Sequence, residues 1–351
     1  MTSKQNSLDN TSNAPKKRVL YVTPTLLYPA VGGNYLRVYN VIKALSGVVD
    51  LDILFLGEIS GMGGADALNH LNQFCHRIYT YETKPHLLKR AFRHFLKYIY
   101  WYILTLHTIR KDNYQILWLG YGNITYSLVP LRFLTGIPLV VDTDSVWSRY
   151  ALRHVPYTTG FFNKLRWYWQ GYWKRLAEVI GTNLADITTA VSEFDKQYYY
   201  KLTLFKNRIK LLSNIVDIKD CSVEAVTEYP VRNPAICYSG SMAGPANNEA
   251  AIWLLDKVMP LLWEKHPGLS VYIVGARPST ELLARSSDKV IVTGKVKNVT
   301  TYLKKGEAVV VPLHFESGTR YKILEAWAVG SAIVSTTLGA EGLNYEHGKH
   351  I

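Results

Sequence analysis

Residues 311–343 read VPLHFESGTRYKILEAWAVGSAIVSTTLGAEGL, and this stretch decides the predicted fold. A β-branched run ends at Pro312, a polar loop with Gly318 follows, and apolar residues then recur at helical spacing over residues 321–329. A strand, a glycine loop and a helix in this order point free backbone N–H groups and the positive end of the helix dipole at one place. The order predicts a binding site for a diphosphate.

Charged residues at the start of this predicted helix fit the same anion. Arg320 and Lys322 would add positive charge beside the diphosphate, although each could also be ordinary surface charge. Glu325 lies further along the helix, where a carboxylate could accept hydrogen bonds from both hydroxyls of a ribose. A solvated helix face is the alternative for Glu325, and its apolar neighbours argue against that alternative.

The same alternation of strands and helices extends through the chain on both sides of a weakly patterned stretch. Before it, strands are predicted at residues 18–23, 50–56, 115–119, 138–141 and 187–191, with a helix at 35–45. After it, strands are predicted at 235–238, 270–274, 290–292, 308–311 and 332–335, with helices at 248–263 and 321–329. Consecutive strand–helix–strand units predict parallel sheets, so the fold class is α/β with two Rossmann-like domains facing a central cleft.

The pattern also sets the predicted domain boundaries. Residues 1–16 are polar and read as a disordered tail, without the apolar run of a signal peptide. An N-terminal Rossmann-like domain is predicted over residues 17–216, a linker over 217–234, and a C-terminal Rossmann-like domain over 235–351.

Cysteine spacing gives no sign of a metal site or of disulfides. Cys75, Cys221 and Cys237 lie far apart and match no metal-binding or redox pattern. An odd, sparse count suits a reducing cytoplasm. We therefore expect no structural zinc.

The net charge of +13 requires an anionic partner or another reason. Residues 83–111 contain seven Lys or Arg and no acidic residue, and residues 161–175 combine four Lys or Arg with five Trp or Tyr. Basic and aromatic helices of this kind lie well on an anionic membrane surface, while the alternative is a pair of solvated helices whose aromatic rings fill a core. No apolar stretch is long enough to span a bilayer. A nucleic-acid partner would also explain the charge, but no recognised reader motif is present.

Residues 318–326 resemble a motif of a known protein family. This segment, GTRYKILEA, resembles the donor-binding motif of glycosyltransferase family 4, and residues 326–330 and 334–336 match the segments that follow the motif in that family. The resemblance implies the GT-B fold and a retaining, metal-independent transfer of a sugar from a nucleoside-diphosphate donor. It also implies that Ser317, Gly318 and Thr319 bind the donor and that Arg320 and Lys322 stabilise the leaving diphosphate.

Further matches extend the resemblance over most of the chain. Gly240, Ser241 and Asn247 resemble the first strand and loop of the family's C-terminal domain. The loop with Gly294 and Val296 resembles the one whose backbone meets the nucleobase. The N-terminal glycine loop near the donor phosphates is matched by three residues, for which a plain tight turn is the alternative: Gly32, Gly33 and Asn34.

Three departures from the family pattern affect what is carried over. Glu316 lies nine residues before Glu325 where the family has eight, so its role as the catalytic carboxylate that holds the sugar hydroxyls depends on slack in the loop. Many family members have a His after the fourth strand of the N-terminal domain, and here Asp142 and Asp144 occupy that stretch. We place them on the acceptor side, with helix capping or Asx turns as the alternative. A metal-binding interpretation of Asp142, Thr143 and Asp144 is rejected because they lie in the wrong half for donor binding.

The third departure is that the family's Asn-Gly-Val-Asp turn appears at residues 214–217 as Asn-Ile-Val-Asp, without its glycine. A further departure concerns the whole chain: the sequence stops at Ile351, where family members continue into further helices, so the C-terminal helices are expected to be missing. We therefore predict a cytoplasmic glycosyltransferase, peripheral on the inner face of the membrane, that uses a nucleotide sugar as substrate and needs no cofactor. Its acceptor would be a glycan or a lipid-linked molecule. The alternative is a non-catalytic GT-B protein that acts as a scaffold for an active transferase.

Overall fold

The computed structural model describes residues 15–30, 32–81, 90–219, 221, 231–232 and 234–351. The predicted tail over residues 1–16 and the predicted linker over 217–234 therefore lie largely outside the described residues. The described chain forms two parallel β-sheets with helices around them, which confirms the predicted α/β class.

The N-terminal sheet contains seven parallel strands in the order β3-β2-β1-β4-β5-β6-β7. The strands are β1 (Arg18–Thr23), β2 (Asp50–Phe55), β3 (Arg77–Thr80), β4 (Ile116–Leu119), β5 (Leu139–Asp142), β6 (Ile187–Ala190) and β7 (Ile209–Leu211). Five of them match the predicted strands to within one or two residues. The two edge strands, β3 and β7, were not predicted because they are short and mostly solvent-accessible, so they lack the apolar run of a buried parallel strand.

The C-terminal sheet contains five parallel strands in the order β10-β9-β8-β11-β12. The strands are β8 (Ala235–Ser239), β9 (Ser270–Val274), β10 (Val290–Gly294), β11 (Ala308–Val311) and β12 (Ile333–Ser335). All of them agree with the predicted strands to within two residues, and β8 and β9 are buried along their whole length, as expected for strands inside a parallel sheet.

Helices cover both faces of each sheet. The α-helices are α1 (Gly33–Ser46), α2 (Ile59–Met62), α3 (Gly64–Leu71), α4 (Arg90–Ile109), α5 (Gly122–Thr125), α6 (Leu131–Thr135), α7 (Trp147–His154), α8 (Phe161–Leu184), α9 (Glu193–Tyr200), α10 (Pro245–Trp253), α11 (Met259–Lys265), α12 (Thr280–Leu283), α13 (Thr300–Lys305) and α14 (Tyr321–Ala328). The predicted helix over residues 248–263 is interrupted by a π-helical turn at Leu254–Val258. Pro260 follows directly and has no N–H to donate, which explains the irregular turn.

Loops that follow the strands of one sheet touch loops that follow the strands of the other. A Cβ added to Gly318, after β11, would lie 2.7 Å from the carbonyl oxygen of Asp144, after β5. A Cβ added to Gly342, after β12, would lie 2.8 Å from Ser192 Oγ, after β6. Ligands of open parallel sheets bind at the carboxyl ends of the strands, so the two domains enclose a cleft at the expected place.

A buried ion pair joins α1 to β5 inside the N-terminal domain. Arg37 Nη2 donates to Asp142 Oδ1 at 2.6 Å, and Arg37 and Asp142 are only 3% and 1% exposed. Arg37 Nη1 donates to the carbonyl oxygen of Leu212 at 2.6 Å, in the loop after β7. One guanidinium group thereby ties a helix, a central strand and the end of the sheet together.

We expect Arg37→Met to lower the free energy of unfolding of the N-terminal domain by about 3–5 kcal/mol, because the substitution leaves the Asp142 carboxylate buried without its cation. Equilibrium urea unfolding followed by circular dichroism measures the loss. Arg77→Met is the matched control, since Arg77 forms an exposed ion pair with Asp112 at 3.2 Å and exposed pairs contribute little. Equal losses in the two variants would contradict a stabilising role for the buried pair.

Candidate functional site

Two helix starts face each other across the cleft. Helix α1 begins at Gly33 and α14 at Tyr321, and a Cβ added to Gly33 would lie 3.1 Å from Tyr321 Cδ2. Neither helix has a side chain capping its first N–H groups, and neither has an acidic residue in its first turn. The free N–H groups and the positive ends of both dipoles are thus available to an anion.

The N-terminal glycine turn has the geometry that brings its backbone to this place. Gly32 precedes α1 with φ of 99°, a left-handed conformation that favours glycine. A Cβ on Gly32 would also lie 3.6 Å from Asn34 Oδ1, so the Asn34 amide folds back over the turn. The structure brings Gly32, Gly33 and Asn34 to the cleft beside α14, where the sequence predicts a donor-phosphate loop.

Lys322, in the first turn of α14, lies at the centre of the predicted donor residues. Its Nζ donates to Asn247 Oδ1 at 2.8 Å and lies 4.4 Å from the centroid of the Tyr238 ring. Burial lowers the pKa of the Lys322 ammonium to about 7, although the nearby Glu316 carboxylate opposes the shift. A bound anion would favour the charged form of this amine and so raise its pKa again.

Gly240 is required by the approach of Lys322. A Cβ on Gly240 would lie 2.9 Å from Lys322 Nζ and 2.8 Å from Asn247 Cγ. Asn247 also donates from Nδ2 to the carbonyl oxygen of Ser241 at 3.0 Å, which fixes its amide. Four residues predicted from separate segments therefore meet at one point: Gly240, Ser241, Asn247 and Lys322.

The predicted nucleobase loop lies at the same edge of the C-terminal sheet. Gly294 ends β10 with φ of 66°, and its carbonyl oxygen accepts a hydrogen bond from Gly275 N at 3.2 Å. A Cβ on Gly275 would lie 1.8 Å from the carbonyl oxygen of Gly240, so only glycine fits between β8 and β10. Val296 packs partly buried against the core of this domain.

Glu325 lies one turn after Lys322 on α14, and its side chain is half-buried. Burial raises the pKa of its carboxyl group, and the Lys322 ammonium opposes that shift. Within the described ranges, the Glu325 carboxylate makes no hydrogen bond or ion pair. Both carboxylate oxygens of Glu325 can therefore accept hydrogen bonds from hydroxyl groups of a ligand.

Glu316 lies in the loop before α14, close to the cations of that helix. Burial raises the pKa of its carboxyl group, and Arg320 and Lys322 counter the shift. Its backbone is held from the other domain, because Arg153 Nη1 donates to the Glu316 carbonyl oxygen at 2.9 Å. The carboxyl group of Glu316 therefore interacts electrostatically with Arg320 and Lys322, despite the extra residue between Glu316 and Glu325.

The side chain of Arg320 is buried and bonds to the glycine loop that contains Gly318. The side chain is 4% exposed, and its guanidinium donates to the carbonyl oxygens of Gly318 and, at 3.1 Å, Leu338. Its Nε has no partner in the part of the chain that the structure describes. Burial lowers the pKa of Arg320, with Glu316 opposing. An anion could therefore bind only to the guanidinium N–H groups of Arg320 that do not take part in these hydrogen bonds.

The two predicted acceptor-side aspartates have different surroundings. Both oxygens of Asp142 are occupied, by Arg37 and by Thr189 Oγ1 at 2.5 Å from Oδ1, so its carboxylate is fixed inside the N-terminal domain. Asp144 is half-buried at the cleft and accepts a hydrogen bond from Trp147 Nε1 at 3.2 Å. Burial raises the pKa of the Asp144 carboxyl group to about 7, against the effect of the Trp147 donor.

Asn214 connects the buried ion pair to the glycine loop of the other domain. Its Nδ2 donates to Thr319 Oγ1 at 2.7 Å, and its Oδ1 accepts from Tyr321 OH at 3.1 Å and from Arg37 Nη1 at 3.3 Å. Ser317 Oγ accepts a hydrogen bond from the backbone N of Val146 at 3.1 Å. Ser317 and Thr319 therefore bind the N-terminal domain through their hydroxyl groups.

Sequence patterns did not reveal the arginines that hold the domains together. Arg153 donates from Nη1 and Nη2 to the two carboxylate oxygens of Glu341, each at 2.7 Å. Arg149 Nη2 donates to Ser317 Oγ at 3.2 Å. For the buried Arg37 a sequence signal was available, because it is four residues before the apolar Val41 and so lies on the buried face of α1.

The two parallel sheets and their helices form the GT-B fold. The Anabaena protein HepE, solved in complex with UDP and glucose, has a TM-score of 0.64 and 13% identity to this chain, covering 95% of this chain and 84% of that chain. The sucrose-phosphate synthase of Thermosynechococcus elongatus has a TM-score of 0.66 and 15% identity, covering 92% of this chain and 82% of that chain. At these identities the comparison establishes the fold.

The sequence comparisons point to the same class. Residues 233–350 match the family model described as Glycosyl transferases group 1. An uncharacterized 44.6 kDa protein in cps region of Klebsiella pneumoniae is 22% identical over 356 residues, covering 95% of this chain and 86% of that protein. The predicted resemblance to the GT-B glycosyltransferases is confirmed, and the comparisons support a glycosyltransferase.

We expect the affinity of this site for a diphosphate to fall as the pH rises from about 7 to about 9, by up to roughly tenfold per pH unit. A diphosphate favours the charged form of Lys322, whose lowered pKa leaves it neutral in the free protein over this range, so binding takes up a proton. Isothermal titration calorimetry in buffers of different ionisation enthalpy measures both the affinity and the proton uptake. Lys322→Arg stays charged and should bind without this pH dependence. A flat wild-type profile would contradict the role of Lys322.

Proposed function

We propose that the chain is a retaining glycosyltransferase that moves a sugar from a nucleoside-diphosphate donor to a glycan or lipid-linked acceptor. The observation that carries this proposal is the position of Lys322, which bonds to Asn247 from the first turn of α14, whose uncapped start faces that of α1. Such a place suits a diphosphate, which is the leaving group of the transfer. HepE, which shares the fold, binds UDP, and UDP is therefore the first nucleotide to test.

The residues of the proposed site have different roles, which follow from their positions. The N–H groups at the starts of α1 and α14 and the Lys322 ammonium would receive the diphosphate, on which charge develops as the bond to the sugar breaks. Glu325 would accept hydrogen bonds from the ribose hydroxyls, and Glu316 from the sugar. Stabilising the leaving group with preorganised donors lowers the barrier without a strong protein base.

Retention at the anomeric carbon and independence of metal are the finer parts of the proposal. The acceptor would attack from the face that the diphosphate leaves, and a phosphate oxygen would take the acceptor's proton as the bonds exchange. Cations and helix dipoles would neutralise the phosphate, so no metal ion is assigned to this step. Within the described residues, no group of three or more His, Cys, Asp or Glu side chains could hold a metal ion.

A peripheral position on the inner face of the membrane completes the proposal. A lipid-linked acceptor would present its sugar at the bilayer surface, where the cleft has to reach it. No helix in the described ranges is long and apolar enough to cross a membrane. Binding at the surface would therefore rest on side chains that face outward.

We expect UDP to raise the melting temperature of the wild-type protein and to raise that of Glu325→Gln much less. The substitution keeps the shape of the side chain but removes the charge that strengthens hydrogen bonds from the ribose hydroxyls. Thermal shift measurements with UDP, GDP, ADP and their sugars test this expectation. Glu264→Gln, on the exposed surface of α11, is the matched control and should respond like the wild type. No response to any nucleotide would favour the non-catalytic scaffold instead.

Asp144→Asn should slow sugar transfer by roughly 10²-fold while changing the affinity for UDP little, because the proposed role of the Asp144 carboxyl group is to orient the acceptor hydroxyl and not to bind the diphosphate. Asp142→Asn should instead destabilise the N-terminal domain, since that carboxylate is paired with Arg37. Transfer is followed by release of UDP, and stability by urea unfolding. Full transfer activity in Asp144→Asn would remove Asp144 from the acceptor side.

A further inference from the structure

Helix α8 exposes a row of large apolar side chains to solvent. Six of them are between 43% and 82% exposed: Phe161, Phe162, Leu165, Trp169, Tyr172 and Trp173. At 100° per residue these positions cover an arc of about 120° on the helix, and they run along more than three turns. We call this the aromatic face of α8. Contiguous exposed apolar surface of this kind marks an interaction site.

Positive charge borders the aromatic face on both edges. The exposed Lys164 and Arg175 fall on one edge and the exposed Arg166 on the other, by the same helical geometry. The only acidic residue of α8, Glu178, is buried and accepts a hydrogen bond from the backbone N of Ser148 at 3.0 Å. The solvent side of the helix is therefore apolar in the middle and cationic at its margins.

Neighbouring helices extend the apolar surface on the same side of the domain. Phe133 and Leu134 of α6 are 62% and 65% exposed, and Ile103 of α4 is 57% exposed. All three helices pack on one face of the N-terminal sheet, where Trp101, Leu131 and Ala177 share a core. The exposed residues thus belong to one side of the domain and not to scattered places.

We propose that the aromatic face of α8 binds an anionic lipid bilayer, with its rings in the headgroup region and Lys164, Arg166 and Arg175 on the lipid phosphates. Trp, Tyr and Phe are the side chains favoured at this depth, and each nearby Lys or Arg adds attraction to an anionic leaflet. Long cationic side chains at the margin reach the phosphates while their stems stay on the apolar surface. This names the membrane contact of the proposed function, but vesicle binding does not require sugar transfer.

The position of α8 relates the surface to the cleft. Helix α8 packs on α7 through the Glu178 and Ser148 hydrogen bonds, and Trp147 of α7 donates to Asp144. Only one helix therefore separates the bilayer contact from the acceptor-side carboxyl group. A bound lipid surface would lie beside the half of the cleft that receives the acceptor.

Co-sedimentation with vesicles of equal parts phosphatidylglycerol and phosphatidylethanolamine tests the proposal. The wild type should bind these vesicles and bind pure phosphatidylcholine vesicles at least about tenfold more weakly. Trp169→Ser with Trp173→Ser, and separately Lys164→Glu with Arg166→Glu, should each weaken binding by roughly tenfold or more. Trp fluorescence of the bound wild type should shift to the blue, as expected for rings that leave water.

Matched controls lie on the exposed surface of the C-terminal domain. Leu261→Ser, 62% exposed on α11, and Lys257→Glu with Lys265→Glu should bind like the wild type. Equal binding by the α8 variants, or no preference for anionic vesicles, would overturn the proposal. So would a wild type that self-associates through this face in sedimentation velocity without binding vesicles. The α8 variants should keep the wild-type rise in melting temperature with UDP. A loss of vesicle binding with an unchanged UDP response therefore concerns the α8 surface and not the donor site.

Discussion

The contact of Arg37 with Asp142 is the interaction on which the rest of the structure depends. Arg37 is buried, and its guanidinium also reaches the loop after β7 and the side chain of Asn214. Asn214 then bonds to Thr319 and Tyr321 of the other domain. A buried cation is costly without full compensation, so the geometry of this group is strongly constrained. That constraint fixes where α1 starts, and hence where its N–H groups point.

The proposed donor site takes residues from both domains. Lys322, Asn247 and Gly240 come from the C-terminal domain, while the glycine turn before α1 comes from the N-terminal one. Arg153 and Glu341 close the contact between them with a two-pronged ion pair. A carboxylate–guanidinium pair of this geometry is specific in direction as well as in charge. The same residues that hold the halves together therefore also set the separation of the two helix starts.

Sequence reasoning predicted the sheets and the glycine loop before α14 because both rest on local signals. Buried parallel strands are β-branched runs, and a glycine loop before a helix is visible in the residues themselves. It could not predict that Asp142 is bound to Arg37, because these residues are far apart in the chain and only the fold brings them together. The contact of Arg153 with Glu341 was missed for the same reason, whereas β7 was missed because it is a short and mostly solvent-accessible edge strand. Long-range polar pairs leave no periodic trace in a sequence.

The positive charge of the chain serves three physically different purposes. Arg37 is neutralised by a buried carboxylate and contributes structure. Lys322 is held where its proton is weakly bound, so its charge depends on what enters the cleft. Lys164, Arg166 and Arg175 are exposed beside aromatic rings, and the one acidic residue of α8, Glu178, is buried. The net charge of +13 alone cannot separate these purposes, since burial and neighbours decide what each cation does. Of these three groups of cations, only the exposed ones at the margins of the aromatic face of α8 need an external anionic surface to neutralise them.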